Sequence, residues 1–384
     1  MRAAMSMLAL SRWPGRLAAL VIALALGACG GGAGVKPNEL MDFTATAQTA
    51  VAWRASVGGS KHYLLTPAVA GGTVYAASSD GHIVALDESN GRQRWRTAAK
   101  ELLTGAVGVG EGLILAGTRK GAVLAYGTDG KPLWRSQVSS EVVGAPQAAR
   151  GTVVVRTVDG RIFGLEATSG ERRWEHQVLL PSLLLRGDAR VEFAGSTMLA
   201  GLPGGRVLAL DVASGDVLWE SIVAQPTGDN EIERIADIAA PPAVDDEQAC
   251  AAAYQGRIAC IELQRGAVLW ARDGSSSARV GIDPVTVYVS APDGVVSAYD
   301  RQTGASLWKQ DKLLNRSVSG PVAMGDFVIV GDYDGYVHVL DAEDGAFVAR
   351  LSTDGSAIVA PPMRAGPGVV VQTSGGGLYA ISVK

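Results

Sequence analysis

A chain of 384 residues with 34 basic and 38 acidic side chains carries a formal charge of −4, and no Lys/Arg cluster interleaved with aromatics marks a nucleic-acid partner. Glycine is abundant, at 49 residues, and helical periodicity is absent beyond residue 50, so the composition points to one large all-β domain.

The amino terminus has the layout of a secretory signal. Arg2, Arg12 and Arg16 precede an apolar core from Leu17 to Leu26, followed by small residues. That core is too short to span a bilayer comfortably. It ends Leu26-Gly27-Ala28-Cys29, which is similar to a bacterial lipobox; in signals of that kind the cysteine is lipidated and becomes the first mature residue. The likeness marks Cys29 as the lipid-bearing residue, each buried methylene of its acyl chains contributing about 0.8 kcal/mol of anchoring. Gly30 follows where an inner-membrane signal would place Asp, which by resemblance to sorted lipoproteins implies the outer membrane, periplasmic face. Removing residues 1–28 takes away three arginines and no acids, so charge does not explain membrane attraction. Residues 29–49 are Gly-rich and then polar and read as a lipidated flexible tether. The folded domain is expected over residues 50–384.

From Asp80 a unit begins that the chain repeats. Asp80-Gly81 turns into the alternating run His82 to Asp87, and a second turn leads to a strand bearing Trp95. Gly160 to Trp174, Gly205 to Trp219, Gly256 to Trp270 and Gly294 to Trp308 follow the same plan, with Trp 14 residues after Gly. Gly121 to Trp134 is one residue shorter, and Gly335 leads to Ala349 in place of Trp. A period near 40 made of short strands is a propeller signature. The first glycine suits a turn needing positive φ. In the second turn an acid (Asp87, Glu166, Asp211, Glu262, Asp300 or Asp341) stands four residues before a Gly, placed to accept from free turn N–H groups. The Trp offers a flat surface to cover the neighbouring sheet. An eighth unit starts at Gly375 and stops at Lys384 without its Trp strand, while Ala50-Val51-Ala52-Trp53-Arg54 supplies such a strand at the other end. The fold expected is an eight-bladed β-propeller of four-stranded antiparallel blades, closed by the N-terminal strand pairing with the C-terminal blade. A closed ring has no free sheet edge demanding a mate, so a monomer is expected.

Function in a ring of like units should lie where they differ. Between each Trp and the next turn glycine the chain usually spends 24 to 28 residues, but Trp174 to Gly205 takes 31 and Trp219 to Gly256 takes 37. Both excesses precede the first strand of a blade, which puts the two loops side by side on one face. The first holds Leu179-Leu180-Pro181-Ser182-Leu183-Leu184-Leu185-Arg186-Gly187-Asp188. If extended, it places Leu183 and Leu185 on a common face beside Arg186, a protein-contact pattern; the plainer reading packs about half these leucines into the next blade. The second, Gly228 to Ile238, supplies acids next to that patch, of which Asp229 and Glu231 read as solvated. Cys250 and Cys260 lie equally far from Gln255 at a hairpin tip and share parity. An oxidising compartment favours a cross-strand disulfide; two small buried thiols are the alternative.

The lipobox, the eight repeats similar to the AxDxxTGxxxW pattern of pyrroloquinoline-quinone-type propellers, and the PSLLLRGD and ERIADI loops together resemble the BamB family of lipoproteins of the β-barrel assembly machinery. The resemblance covers almost the whole chain. It implies a non-enzymatic scaffold without cofactor or metal that docks on the POTRA domains of BamA within the BAM complex and assists insertion of outer-membrane β-barrel proteins. Nascent barrel proteins are a further candidate partner. The family's BamA-contacting leucines and arginine match Leu183, Leu185 and Arg186. Its two aspartates on the second loop match Asp237 and, with the carboxylate lost, Ala239.

The alternative is a periplasmic quinoprotein dehydrogenase, which resembles this chain in the repeat. Such enzymes carry adjacent cysteines, unlike Cys250 and Cys260, and longer loops roofing the site. The four histidines (His62, His82, His176, His338) form no HExxH or i,i+4 ligand pair, and no Walker A loop or convincing GxSxG occurs. A third reading is a propeller taking sugars or peptides into its central channel.

Overall fold

The computed structural model describes residues 36–384. Among them, 32 strands form eight four-stranded antiparallel sheets, the blades of a propeller. Blade 1 runs Ala68–Ala70, Thr73–Ala77, His82–Asp87 and Gln93–Ala98 from the axis outward, and blades 2 to 7 repeat that sequential order. Burial follows from position. The second and third strands lie between two neighbouring blades, so Thr73–Ala77 is buried throughout and His82–Asp87 is buried except at its two ends. The outermost strand has a solvent side, and Gln93–Ala98 alternates. Near-continuous apolar runs inside and alternation outside are what sheets covered on both faces require.

Each tryptophan staples its blade to the next. Trp270 in the outer strand of blade 5 donates its indole N–H to the carbonyl of Arg301 in blade 6 at 2.7 Å. The six others from Trp53 to Trp308 make the same bond to the residue after the second-turn acid position, at 2.7–3.0 Å. The ring lies on the glycine of that turn. At Gly304, with φ +69°, a Cβ would stand 2.5 Å from the Trp270 ring. Two demands therefore fix glycine there, a left-handed backbone and an indole in contact. Asp87, Asp211, Asp300 and Asp341 accept from turn N–H groups as expected, at 2.8–3.2 Å. Glu166 and Glu262 instead pair with Arg173 and Arg265. In blade 5 the left-handed residue of the first turn is Gln255, with φ +48°, rather than Gly256.

The ring closes as expected. Blade 8 consists of Met363–Ala365, Gly368–Gln372, Gly377–Val383 and, as its outer strand, Thr49–Ser56 from the other end of the chain. Trp53 pairs with Ala380 in that ladder. The missing tryptophan at Ala349 has its cause here. Blade 8 has no turn between its last two strands, because one ends the chain, so no turn awaits an indole from blade 7. The N-terminal segment covers the place: Thr46 and Ala47 donate to Val348 O at 3.0 and 3.1 Å, and Ala47 packs on the cluster holding Ala349.

That segment corrects the expected tether boundary. The propeller unit begins at Pro37 rather than 50. Asn38 bonds Leu314 O, Arg316 donates to Asn38 O at 2.9 Å, and Arg350 donates to Met41 O at 3.0 Å while lying 5.0 Å over the Phe43 ring. Residues 38–48 are thus a strap on blade 7. The signal segment and Cys29 lie outside the described residues. Cys250 and Cys260 are fully buried cross-strand partners in blade 5, joined by a disulfide with Cα atoms 4.1 Å apart.

Candidate partner-docking site

The two long loops emerge on one face and touch. Asp237, from the second, is 3% exposed and accepts from Leu185 N at 2.7 Å and Gly204 N at 3.0 Å. Its own carbonyl accepts from Tyr254 N, tying the junction of blades 4 and 5. Gly187 is needed for the approach: a Cβ there would stand 2.1 Å from Ala239 O. Asp237 therefore does not offer a charge to a partner. Both of its oxygens are bonded to backbone, and its work is to hold the first loop in place. Ala239 lies in that same contact, where the loops meet backbone to side chain.

The leucines divide differently from simple alternation. The chain bends at Ser182 and Leu183 instead of running as a strand, so parity does not apply. Leu179 and Leu183 are 84% and 46% exposed, and Leu184 is exposed beside them. Leu185 is half-buried and, with Leu180 and Leu184, roofs a cavity of about 290 Å³ between blades 3 and 4. Ile162, Val178 and Ile238 give it apolar walls, and Arg156 is at its side. Ile232, 65% exposed on the second loop, adds an apolar residue that the charge pattern of that loop obscures. Exposed leucines concentrated on one connection are the mark of a contact surface.

Arg186 stands at the edge of this patch, exposed, ion-paired with Glu141 and 5.5 Å over the Tyr63 ring. Glu141 precedes blade 3 and Tyr63 precedes blade 1, so the guanidinium leans across toward the axis. Sequence reading named Arg186 but not these partners, which lie 45 and 123 positions away. Among the described residues no group of three or more His, Cys, Asp and Glu is placed to hold a metal ion.

The family model for outer membrane protein assembly factor BamB matches residues 39–104, 83–310 and 292–384. Assembly factors named BamB from Nitrosomonas eutropha and Burkholderia pseudomallei are 42% and 39% identical, over 86% and 89% of this chain and 81% and 90% of theirs. The crystal structure of BamB from Moraxella catarrhalis superposes with a TM-score of 0.81 at 27% identity, covering 87% of this chain and all of that one. A quinohemoprotein alcohol dehydrogenase from Comamonas testosteroni superposes with a TM-score of 0.70 at 15% identity, over 87% of this chain and 76% of that one, a likeness of fold. The chain belongs to the BamB family of outer membrane protein assembly factors.

Proposed function

We propose that this protein is a non-enzymatic scaffold of the β-barrel assembly machinery, docking on POTRA domains of BamA through the leucine loop. One observation carries the reading: an exposed apolar patch on an irregular loop is held in a fixed shape by a buried carboxylate from the neighbouring blade. A free loop would lose conformational entropy on binding; one already bonded through Asp237 and Gly187 loses less. Leu179, Leu183 and Leu184 supply the apolar contact, and Arg186 orients the partner while sharing its charge with Glu141. The signal and lipobox residues support a mature protein beginning at lipidated Cys29 and held at the periplasmic face of the outer membrane. The ten-residue separation of the cross-strand pair Cys250 and Cys260, unlike the adjacent cysteines of quinoprotein dehydrogenases, favours this reading over such an enzyme.

Replacing Leu183 and Leu184 with Ser tests it. Burial of each leucine contributes up to about 1.5–3 kcal/mol, so the double variant should lose at least about tenfold in BamA capture while keeping its melting temperature. Capture undiminished in a folded double variant removes the loop from the interface.

A further inference from the structure

The loops that precede the inner strands of all eight blades converge on the axis and enclose a funnel of about 670 Å³ on the same face as the leucine loop. That volume is within the range of small-ligand sites. Its wall is unlike the rest of this acidic protein. Tyr63, Val143 and Val318 give it apolar surface, and Lys61, His62, Arg186 and Arg279 line it against one carboxylate, that of Asp188. Ser290 also lines it, nine-tenths buried, with a hydroxyl that has no hydrogen-bond partner.

The charges around Asp188 do not balance. Arg190 lies 2.9 Å from Asp188 and Arg279 lies 3.0 Å from Glu192, one guanidinium to each carboxylate, but the first pair is not aligned as a hydrogen bond and leaves Asp188 Oδ2 and Arg190 Nε without one. Arg156, at the wall of the adjoining cavity, feels Asp188 but forms no ion pair among the described residues. Three guanidinium groups thus face two carboxylates. Burial lowers the Arg156 pKa to about 10, with Asp188 opposing, so the group remains charged at neutral pH. Burial likewise lowers that of Arg279, with Arg190 adding to the effect. Arg190 is itself buried, and its Nη2 has no acceptor. Buried guanidinium groups with open donor positions are costly unless a further anion meets them. The excess positive charge calls for an anion, and the apolar wall beside it favours a carboxylate borne on an apolar group over a bare phosphate.

We propose that the funnel binds the free carboxylate of a short apolar peptide segment. Arg279, 26% exposed, is its direct partner; Arg156 and Arg190 supply the excess charge behind it, and Ser290 a hydroxyl donor. The apolar wall takes the residues next to the carboxylate.

Calorimetric titration of the purified full chain with N-acetyl-Ala-Ala-Leu, with its C-terminal amide and with inorganic phosphate tests this. The free acid should bind at least about tenfold more tightly than the amide, because a charge-assisted guanidinium–carboxylate bond is lost in the amide. Phosphate should not displace the acid. Arg279→Gln should reduce the affinity for the acid to that for the amide. Asp188→Asn, which removes a competing carboxylate, should tighten it. Equal behaviour of acid and amide, absence of binding included, overturns the proposal. So does displacement by phosphate, or discrimination retained in R279Q. If R279Q proves unfolded by circular dichroism, the acid–amide comparison on the unaltered chain and the D188N variant decide. BamA capture is a separate measurement, so failure here leaves the docking reading untouched.

Discussion

Asp237 shows how a single side chain can hold a proposed docking surface in shape while its own carboxylate is taken up by backbone donors. Its carboxylate satisfies two backbone donors from two different segments, and an alanine there leaves both partly buried N–H groups without an acceptor. The expected cost of Asp237→Ala is about 2–4 kcal/mol of stability, with faster hydrogen exchange at the Leu185 amide and weaker BamA capture as a consequence. Asp237→Asn retains one acceptor and should fall between. His338 is a second such residue. It is 0% exposed, with Nε2 2.9 Å from Asp332 and Nδ1 accepting from Arg350 at 3.2 Å, and Arg316 also pairs with Asp332. Burial, opposed by Asp332 and aided by the two arginines, holds its pKa below the usual 6.5. The unfolded chain takes up this proton as pH falls through about 6.5, whereas the folded one resists it. Stability is therefore fully present above that pH and declines below it, by at most about 1.4 kcal/mol per pH unit. Thermal melts from pH 7 to 5 should show this decline, and His338→Gln should flatten it. An unchanged slope in H338Q would assign the decline elsewhere.

At the scale of the blade, the repeated unit is best understood as a joint rather than as a hairpin. Strand pairing holds each sheet together, but it is the Trp–Gly contact and the indole N–H bond that fix one sheet against the next. Gly304→Ala forces a Cβ into the Trp270 ring and strains a left-handed residue, so a loss of about 2 kcal/mol or more is expected in urea denaturation. Trp270→Phe keeps an aromatic ring and gives up the bond to Arg301 O, so its loss should be smaller, about 1 kcal/mol. A reversed order would mean that the polar bond, not the ring-on-glycine contact, dominates the joint. The spacing of Gly and Trp was legible in the sequence because each joint repeats a local pattern. The exceptions at Glu166, Glu262 and Gln255 were not, since each depends on which donor a carboxylate meets or which turn residue takes positive φ.

For the whole molecule the decisive feature is closure. The outer strand of blade 8 and the strap on blade 7 both come from the first residues of the described chain, so the N-terminal end secures the ring twice. Deleting residues up to 48 should remove the strap, expose Val348 and lower the melting temperature while leaving a soluble monomer. Deleting up to 56 also removes Thr49–Ser56 and opens the edge of Gly377–Val383, so aggregation is expected in size-exclusion chromatography. Equal solubility of the two truncations would mean that the eighth blade does not need its N-terminal strand.

Sequence alone determined the number of blades, the strand shared between the two ends, the neighbouring placement of the long loops and the membership of Leu183, Leu185, Arg186 and Asp237 in one region. These follow from periodicity and chain connectivity, which are written along the chain. Only the tertiary structure decided that Asp237 is a buried brace, that Leu184 rather than Leu185 joins Leu183 on the surface, that Arg186 is already paired with Glu141, and that three arginines meet two acids near the axis. Each of these depends on groups distant in sequence meeting at a distance of a few ångströms. Charge balance and exposure are properties of that meeting, and no local pattern encodes them.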